Sequence, residues 1–138
     1  TMAFNDIAIR INAYEQTIKT LGNEKVKGQP LIRELAIGRT KQEAFETARK
    51  PLLEKYESYA TWGQTDTKKE RTLSDTFEEF CRDRFIIGDE QEVVDEILKY
   101  KESFGVDNLL VRVQWPGLGQ GEVLKSLDHL GKIIATVS

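Results

Sequence analysis

The chain has 138 residues, 39% hydrophobic and 31% charged, with a formal net charge of −3. That length suits one domain, 1–138, with a real core, and the acidic balance argues against a nucleic-acid partner, which would want a basic face. No run approaches the roughly 20 apolar residues that cross a bilayer, the first residues carry no signal pattern, and the single cysteine, Cys81, allows no internal disulfide. A cytoplasmic protein is the expectation.

In chain order, Phe4, Ile7, Ala8, Ile11, Tyr14, Ile18 and Leu21 recur at three- and four-residue steps, one apolar helix face. Gly22 stands where a C-terminal glycine would end that helix. Gly28 and Pro30 mark a loop. Residues 31–37 form a short apolar run interrupted by Arg33 and Glu34, which in a strand point to opposite faces. A strand covered on both faces buries one of these charges, and that one needs a partner.

Thr40 and Glu43 have the Thr-x-x-Glu spacing of a capping box. The helix they open continues through Ala44, Phe45, Ala48, Leu52, Tyr56 and Tyr59 toward Trp62, and Gly63 ends it. Pro51 lies inside, where a kink or a restart is expected. Residues 64–71 are polar, lack an apolar period, and read as a mobile loop. Ser74 is placed to cap a short helix with Phe77, Phe80 and Cys81 on one face.

Residues 85–115 organise the rest. A short apolar run at 85–87 is followed by Gly88, by a second capping spacing at Asp89 and Glu92, and by an amphipathic helix over 90–104. That helix buries Val93 or Val94, Ile97, Leu98 and Phe104, and stops at Gly105. A second apolar run spans 108–115. This order reads as strand, crossover helix and parallel strand. Pro116 and Gly117 break the last strand, and Val123, Leu124, Leu127, Leu130 and Ile134 line a terminal helix. The chain is therefore α/β, with about three parallel strands each followed by a helix, plus an N-terminal helix. A sheet so thin has two open edges, which invite pairing with another chain.

Asp83-Arg84-Phe85-Ile86-Ile87-Gly88-Asp89-Glu90-Gln91-Glu92-Val93, Gly105-Val106-Asp107-Asn108-Leu109-Leu110-Val111-Arg112 and Gln114-Trp115-Pro116-Gly117 resemble the C-terminal end of the luciferase-like flavin-dependent monooxygenases. Residues 59–64 and the Arg33 strand are similar to the preceding segment there, so the resemblance runs from about residue 31 onward. It implies a partial TIM barrel, of which a complete example takes about 250 residues. It also implies a monooxygenase that uses reduced FMN and oxygen on a small organic substrate, or, in one branch, a deazaflavin-dependent reductase. The N-terminal half, where the family keeps much of its equipment, is missing here. The 138 residues alone are thus expected to be inactive, and to need further copies in a homo-oligomer or the remainder of a larger chain. A non-catalytic α/β assembly module is the reading from another class.

In a barrel the chemistry sits at the C-terminal strand ends. The resemblance then gives Trp115, Gln114, Gly88 and Asp89 as candidate cofactor contacts, and Trp62 and Arg112 as candidate pocket residues. Each has a plainer reading. Trp115 closes a core, Gly88-Asp89 is a helix cap, and Arg112 holds a buried carboxylate such as Glu34. No catalytic acid–base pair stands out. One histidine, His129, and one cysteine argue against a zinc site, and Cys81 reads as a small buried hydrophobe.

Overall fold

Both charges at the centre of the first strand are buried, and the fold is built around that fact. The computed structural model describes residues 1–26, 28, 30–63 and 77–137. Its elements are α1 (Phe4–Leu21), β1 (Pro30–Ile37), α2 (Lys41–Thr61), α3 (Phe77–Cys81), β2 (Ile86–Gly88), α4 (Glu90–Phe104), β3 (Asn108–Arg112) and α5 (Gln120–Val137). The protein is α/β, with a three-stranded parallel sheet whose βα rhythm is that of part of a TIM-barrel-like fold.

The strand order is β2-β1-β3. The N-terminal half of β1 pairs with β3, from Pro30 opposite Asn108 to Glu34 opposite Arg112. Its C-terminal half pairs with β2, from Leu35 opposite Ile86 to Ile37 opposite Gly88. The stretch 85–115 is strand, helix and strand as its pattern predicts, but its two strands are not neighbours, because β1 lies between them.

This order decides where the helices go. The β1–α2–β2 connection moves across the sheet one way, and β2–α4–β3 moves back. Right-handed connections therefore place α2 and α4 on opposite faces. The cores agree. Ala36 packs with Ala48, Leu52 and Tyr56 of α2, with Phe77, Phe80 and Cys81 of α3, and with Phe85 and Trp115. Leu35 and Ile37 pack on the other face with Ile7 of α1, Val93, Val94 and Tyr100 of α4, and Ile133 of α5.

Local chemistry sets the boundaries. Gly22 and Gly105 end α1 and α4 with positive φ, 68° and 62°, a conformation that other L-residues adopt at a cost. At α2 the Thr40 hydroxyl accepts the Glu43 amide at 3.2 Å, while the Glu43 carboxylate takes the Arg39 amide instead of closing a box with Thr40. Asp89 and Glu92 do complete a capping box at α4. α2 runs unbroken through Pro51, with no restart, and the proline ring is buried. Residues 64–71 and Ser74, for which a loop and a helix cap were expected, lie outside the described residues.

Two expectations are corrected. β3 ends at Arg112, so 113–115 are not paired strand; Trp115 leaves the strand path and turns inward ahead of Pro116. On α5 the buried residues are Val123, Ser126 and Ile133, whereas Leu124, Leu127 and Ile134 are exposed. No described helix is long and apolar enough to cross a membrane.

Candidate functional site

Side chains alternate along β1, so Glu34 faces α2 and Arg33 faces α4. Glu34 is 0% exposed and Arg33 1%. An isolated charge at such depth is strongly unfavourable unless paired and hydrogen-bonded, and the two residues meet that demand very differently.

Glu34 is saturated. Its Oε1 accepts from Lys55 Nζ at 2.6 Å and Arg112 Nη1 at 3.1 Å, with the Tyr56 hydroxyl at 3.4 Å. The Trp115 indole N–H donates to Oε2. Lys55 and Tyr56 arrive from successive positions of α2, Arg112 from β3 opposite in register, and Trp115 from the segment that leaves the strand. The Tyr56 hydroxyl also accepts from the Thr1 ammonium at 3.0 Å and lies 2.8 Å from Thr1 Oγ1, so its single proton serves either that oxygen or Glu34. Burial holds the Lys55 ammonium below its usual pKa, against the opposing pull of the Glu34 carboxylate. Burial likewise pushes the Tyr56 phenol well above its ordinary value.

Arg33 is left short. Its Nη1 donates to the Ile32 carbonyl at 3.3 Å, and its guanidinium carbon lies 4.8 Å from the centre of the Tyr100 ring. Among the described residues, Nε, Nη2 and the Tyr100 hydroxyl have no hydrogen-bond partner. Sequence reading expected one buried charge with a partner; the structure has two, and only Glu34 has its counter-ions.

The start of α4 is already occupied by the protein's own carboxylates. Asp89 Oδ1 accepts the Glu92 amide at 3.0 Å, and Glu92 Oε2 accepts the Asp89 amide at 3.2 Å. Glu92 also pairs with Lys41 at 2.6 Å, and Glu90 with His129 at 2.6 Å. Gly88 is required here, since a Cβ would stand 2.7 Å from the Glu92 side chain. Gly88 also accepts the Gly38 amide at 3.1 Å, which ties the ends of β1 and β2 together.

The candidate site residues are thus dispersed. Trp115 is 1% exposed among core side chains and joins Arg112 at Glu34. Gln114 is exposed and donates to the Trp115 carbonyl at 3.2 Å. Gly88 and Asp89 belong to the β2–α4 turn. Trp62 caps α2, is 66% exposed, and has its ring 6.0 Å from that of Tyr59. Sequence reasoning paired Arg112 with Glu34 but missed Lys55 and Tyr56. Adjacent polar positions on an otherwise core-facing helix turn were the available signal. Cys81 is buried, and its thiol pKa is raised by desolvation. Among the described residues no cluster of His, Cys, Asp or Glu is placed to hold a metal ion.

These residues do not fit a flavin mononucleotide. A flavin phosphate wants free amides or cations, and a flavin ring wants an open aromatic face. Here the cap amides of Asp89 and Glu92 are taken, Arg112 is bound to Glu34, and the Trp115 ring is enclosed. What the Glu34 network does is join β1, α2, β3 and the segment after β3.

No family model matches the chain, and no curated protein sequence matches it. Solved structures do. The monooxygenase RslO1 from Streptomyces bottropensis matches with a TM-score of 0.65 at 13% identity, over 98% of this chain and 39% of that one. The oxygenating constituent of 3,6-diketocamphane monooxygenase, from the CAM plasmid of Pseudomonas putida, matches with a TM-score of 0.70 at 16% identity, over 99% and 41%. That protein is a type II Baeyer–Villiger monooxygenase and was solved in complex with FMN. The chain spans about two fifths of the length of each, 39% and 41%, and at such identities the likeness is one of fold.

Proposed function

We propose that the chain serves as the C-terminal βα portion of a luciferase-like flavin-dependent monooxygenase, and that its 138 residues alone neither hold reduced FMN nor turn over substrate. The observation that carries the first half is the superposition of 99% of the chain, at a TM-score of 0.70, on a monooxygenase that binds FMN. The order of the motifs around Gly88-Asp89, Asn108–Arg112 and Trp115-Pro116-Gly117 supports the same reading. What carries the second half is the commitment of Arg112, Trp115, Asp89 and Glu92 to contacts within the fold. Remaining segments of such an enzyme would supply the phosphate anchor and the flavin-ring face.

A chimera tests this. The matched portion of the Pseudomonas oxygenating constituent is replaced by this chain, and bound FMN is read from absorbance after gel filtration. The proposal expects a folded chimera that retains FMN. A folded chimera without flavin, or one that fails to fold while the parent does, contradicts it.

A further inference from the structure

We infer that the hollow beneath α1 is a binding site for a small apolar monocarboxylate, with its hydrocarbon body inside and its carboxylate on Arg10 and Tyr14 at the rim. The hollow has a volume of about 550 Å³ and lies between α1, the start of β1 and the turn that joins α4 to β3. Small-molecule sites typically span roughly 300–1,000 Å³.

Its origin is in the helix. Phe4, Ile7 and Ile11 pack onto the core shared with α4 and α5, but Ile7 is the one buried residue of α1. Further along the same face, Tyr14 and Ile18 are half-buried and Leu21 is exposed. The apolar stripe therefore runs on past the layer beneath it. Ile7 and Ile11 wall the gap on one side, and Leu31, Phe104 and Val106 on the other. A Cβ added at Gly105 would meet nothing within 4 Å, so the turn leaves the space open. Apolar surface left wet in this way is what a hydrocarbon body covers favourably.

Charge selects the head group. Lys25 and Asp107 also line the hollow, but Lys25 is held by Glu15 at 2.6 Å and lies in the field of Asp107. Arg10 and Tyr14, one turn apart on α1, have no hydrogen-bond or ion-pair partner among the described residues. Together they offer a guanidinium fork and a hydroxyl donor, which suit a carboxylate. A second positive charge stands further in. Arg33 shares the strand face of Leu31, two residues along, and is 1% exposed with Nε and Nη2 unpaired. In a low-dielectric core such a charge acts over several ångströms, and it favours an anion in the hollow over a neutral or cationic ligand.

This is not the flavin or substrate region of the proposed function. Barrel chemistry sits at the C-terminal strand ends, whereas Leu31 and Asp107 stand at the N-terminal ends of β1 and β3. The hollow lies on the face that α1 covers and takes up neither edge of the sheet. The inference therefore stands apart from that reading and leaves the edges to the rest of such an enzyme.

Titration of the isotope-labelled chain with 4-phenylbutyrate, followed by amide chemical shifts, tests the inference. The neutral 4-phenyl-1-butanol and the cationic 4-phenylbutylamine carry the same hydrocarbon body. The expected result is saturable shifts at Ile7, Leu31, Phe104 and Val106, with a Kd between about 10 µM and 1 mM for a ligand of this size. The alcohol and the amine should bind at least about fivefold more weakly. Arg10→Gln should raise the Kd of the acid at least about fivefold and leave that of the alcohol unchanged. Arg39→Gln, past the other end of β1, should change neither. Both arginines are exposed, and the amide spectra confirm that the variants fold. Absence of saturation at about 10 mM acid overturns the inference. So does equal binding of acid and alcohol, acid binding that Arg10→Gln leaves intact, or shifts centred on other residues.

Discussion

Arg33 and Glu34 are consecutive residues of one strand, equally buried, with opposite energetic standing. Removing Glu34 strands two cations and an indole N–H, whereas removing Arg33 relieves an unpaired buried charge. Replacing one partner of a buried pair typically costs about 3–5 kcal/mol, while apolar replacement of a poorly satisfied ionic group is often neutral or stabilising by about 1–4 kcal/mol. Urea unfolding of Glu34→Gln should therefore show a loss of about 3 kcal/mol, and Arg33→Met no loss or a gain. A large loss in Arg33→Met would mean that its Nε and Nη2 have an acceptor after all. Only part of this was legible in the sequence. Alternation along β1 and β3 suggested Arg112 for Glu34, but Lys55 and Trp115 lie 21 and 81 residues away. Their convergence depends on strand order, which no local pattern encodes.

Cys81 offers a pH test at the same scale. Burial raises its thiol pKa above the ordinary 9.0, so the folded chain keeps the proton while the unfolded chain loses it as pH climbs past that value. The stability tied to this thiol is fully present below the unfolded pKa and is lost above it, with a limiting slope of about 1.4 kcal/mol per pH unit. Lys55, whose pKa is lowered on folding, acts in the opposite sense below 10.5, and Tyr56, whose pKa is raised, in the same sense above 10.0. The difference between wild type and Cys81→Ala isolates the thiol. Measured by urea unfolding, the advantage of wild type should shrink as pH climbs above the ordinary thiol pKa of 9.0, because only the unfolded chain ionises there. A constant difference would contradict this.

Among the elements, the β2–α4 turn shows why a helix start that resembles a ligand site is here a structural joint. Asp89→Ala removes the cap and should cost about 1 kcal/mol. Gly88→Ala should cost more, because the added methyl meets both the Cβ and the carboxylate of Glu92 and forces the capping box open. Thermal unfolding of the two variants checks the ranking, and an Asp89→Ala protein less stable than Gly88→Ala would refute it. Most elements were readable from periodicity and punctuation. Gly22 and Gly105 mark the ends of α1 and α4, and Asp89 with Glu92 the start of α4. The failures have identifiable causes. Trp115 fits the period-2 pattern of β3, yet its bond to Glu34 draws it off the strand. α5 carries two adjoining apolar stripes, and periodicity alone could not tell the buried Val123–Ile133 side from the exposed Leu124–Leu127 side.

For the whole molecule, sheet order governs everything else. Placing β1 between β2 and β3 covers it on both faces, buries Glu34 at the junction of three elements, and leaves β3 as an edge. The same arrangement encloses Trp115 and engages Arg112, two residues that a flavin site would want free. Fold likeness to an FMN-bound monooxygenase and the commitment of Trp115, Arg112, Asp89 and Glu92 to contacts within the fold among the described residues are therefore compatible. Equilibrium dialysis of the chain against micromolar FMN, oxidised and reduced, tests this most directly. The account predicts no flavin retained above the level of an unrelated protein of similar charge. Stoichiometric, saturable uptake that is lost in Trp115→Phe or Arg112→Ala, with the fold intact, would contradict it.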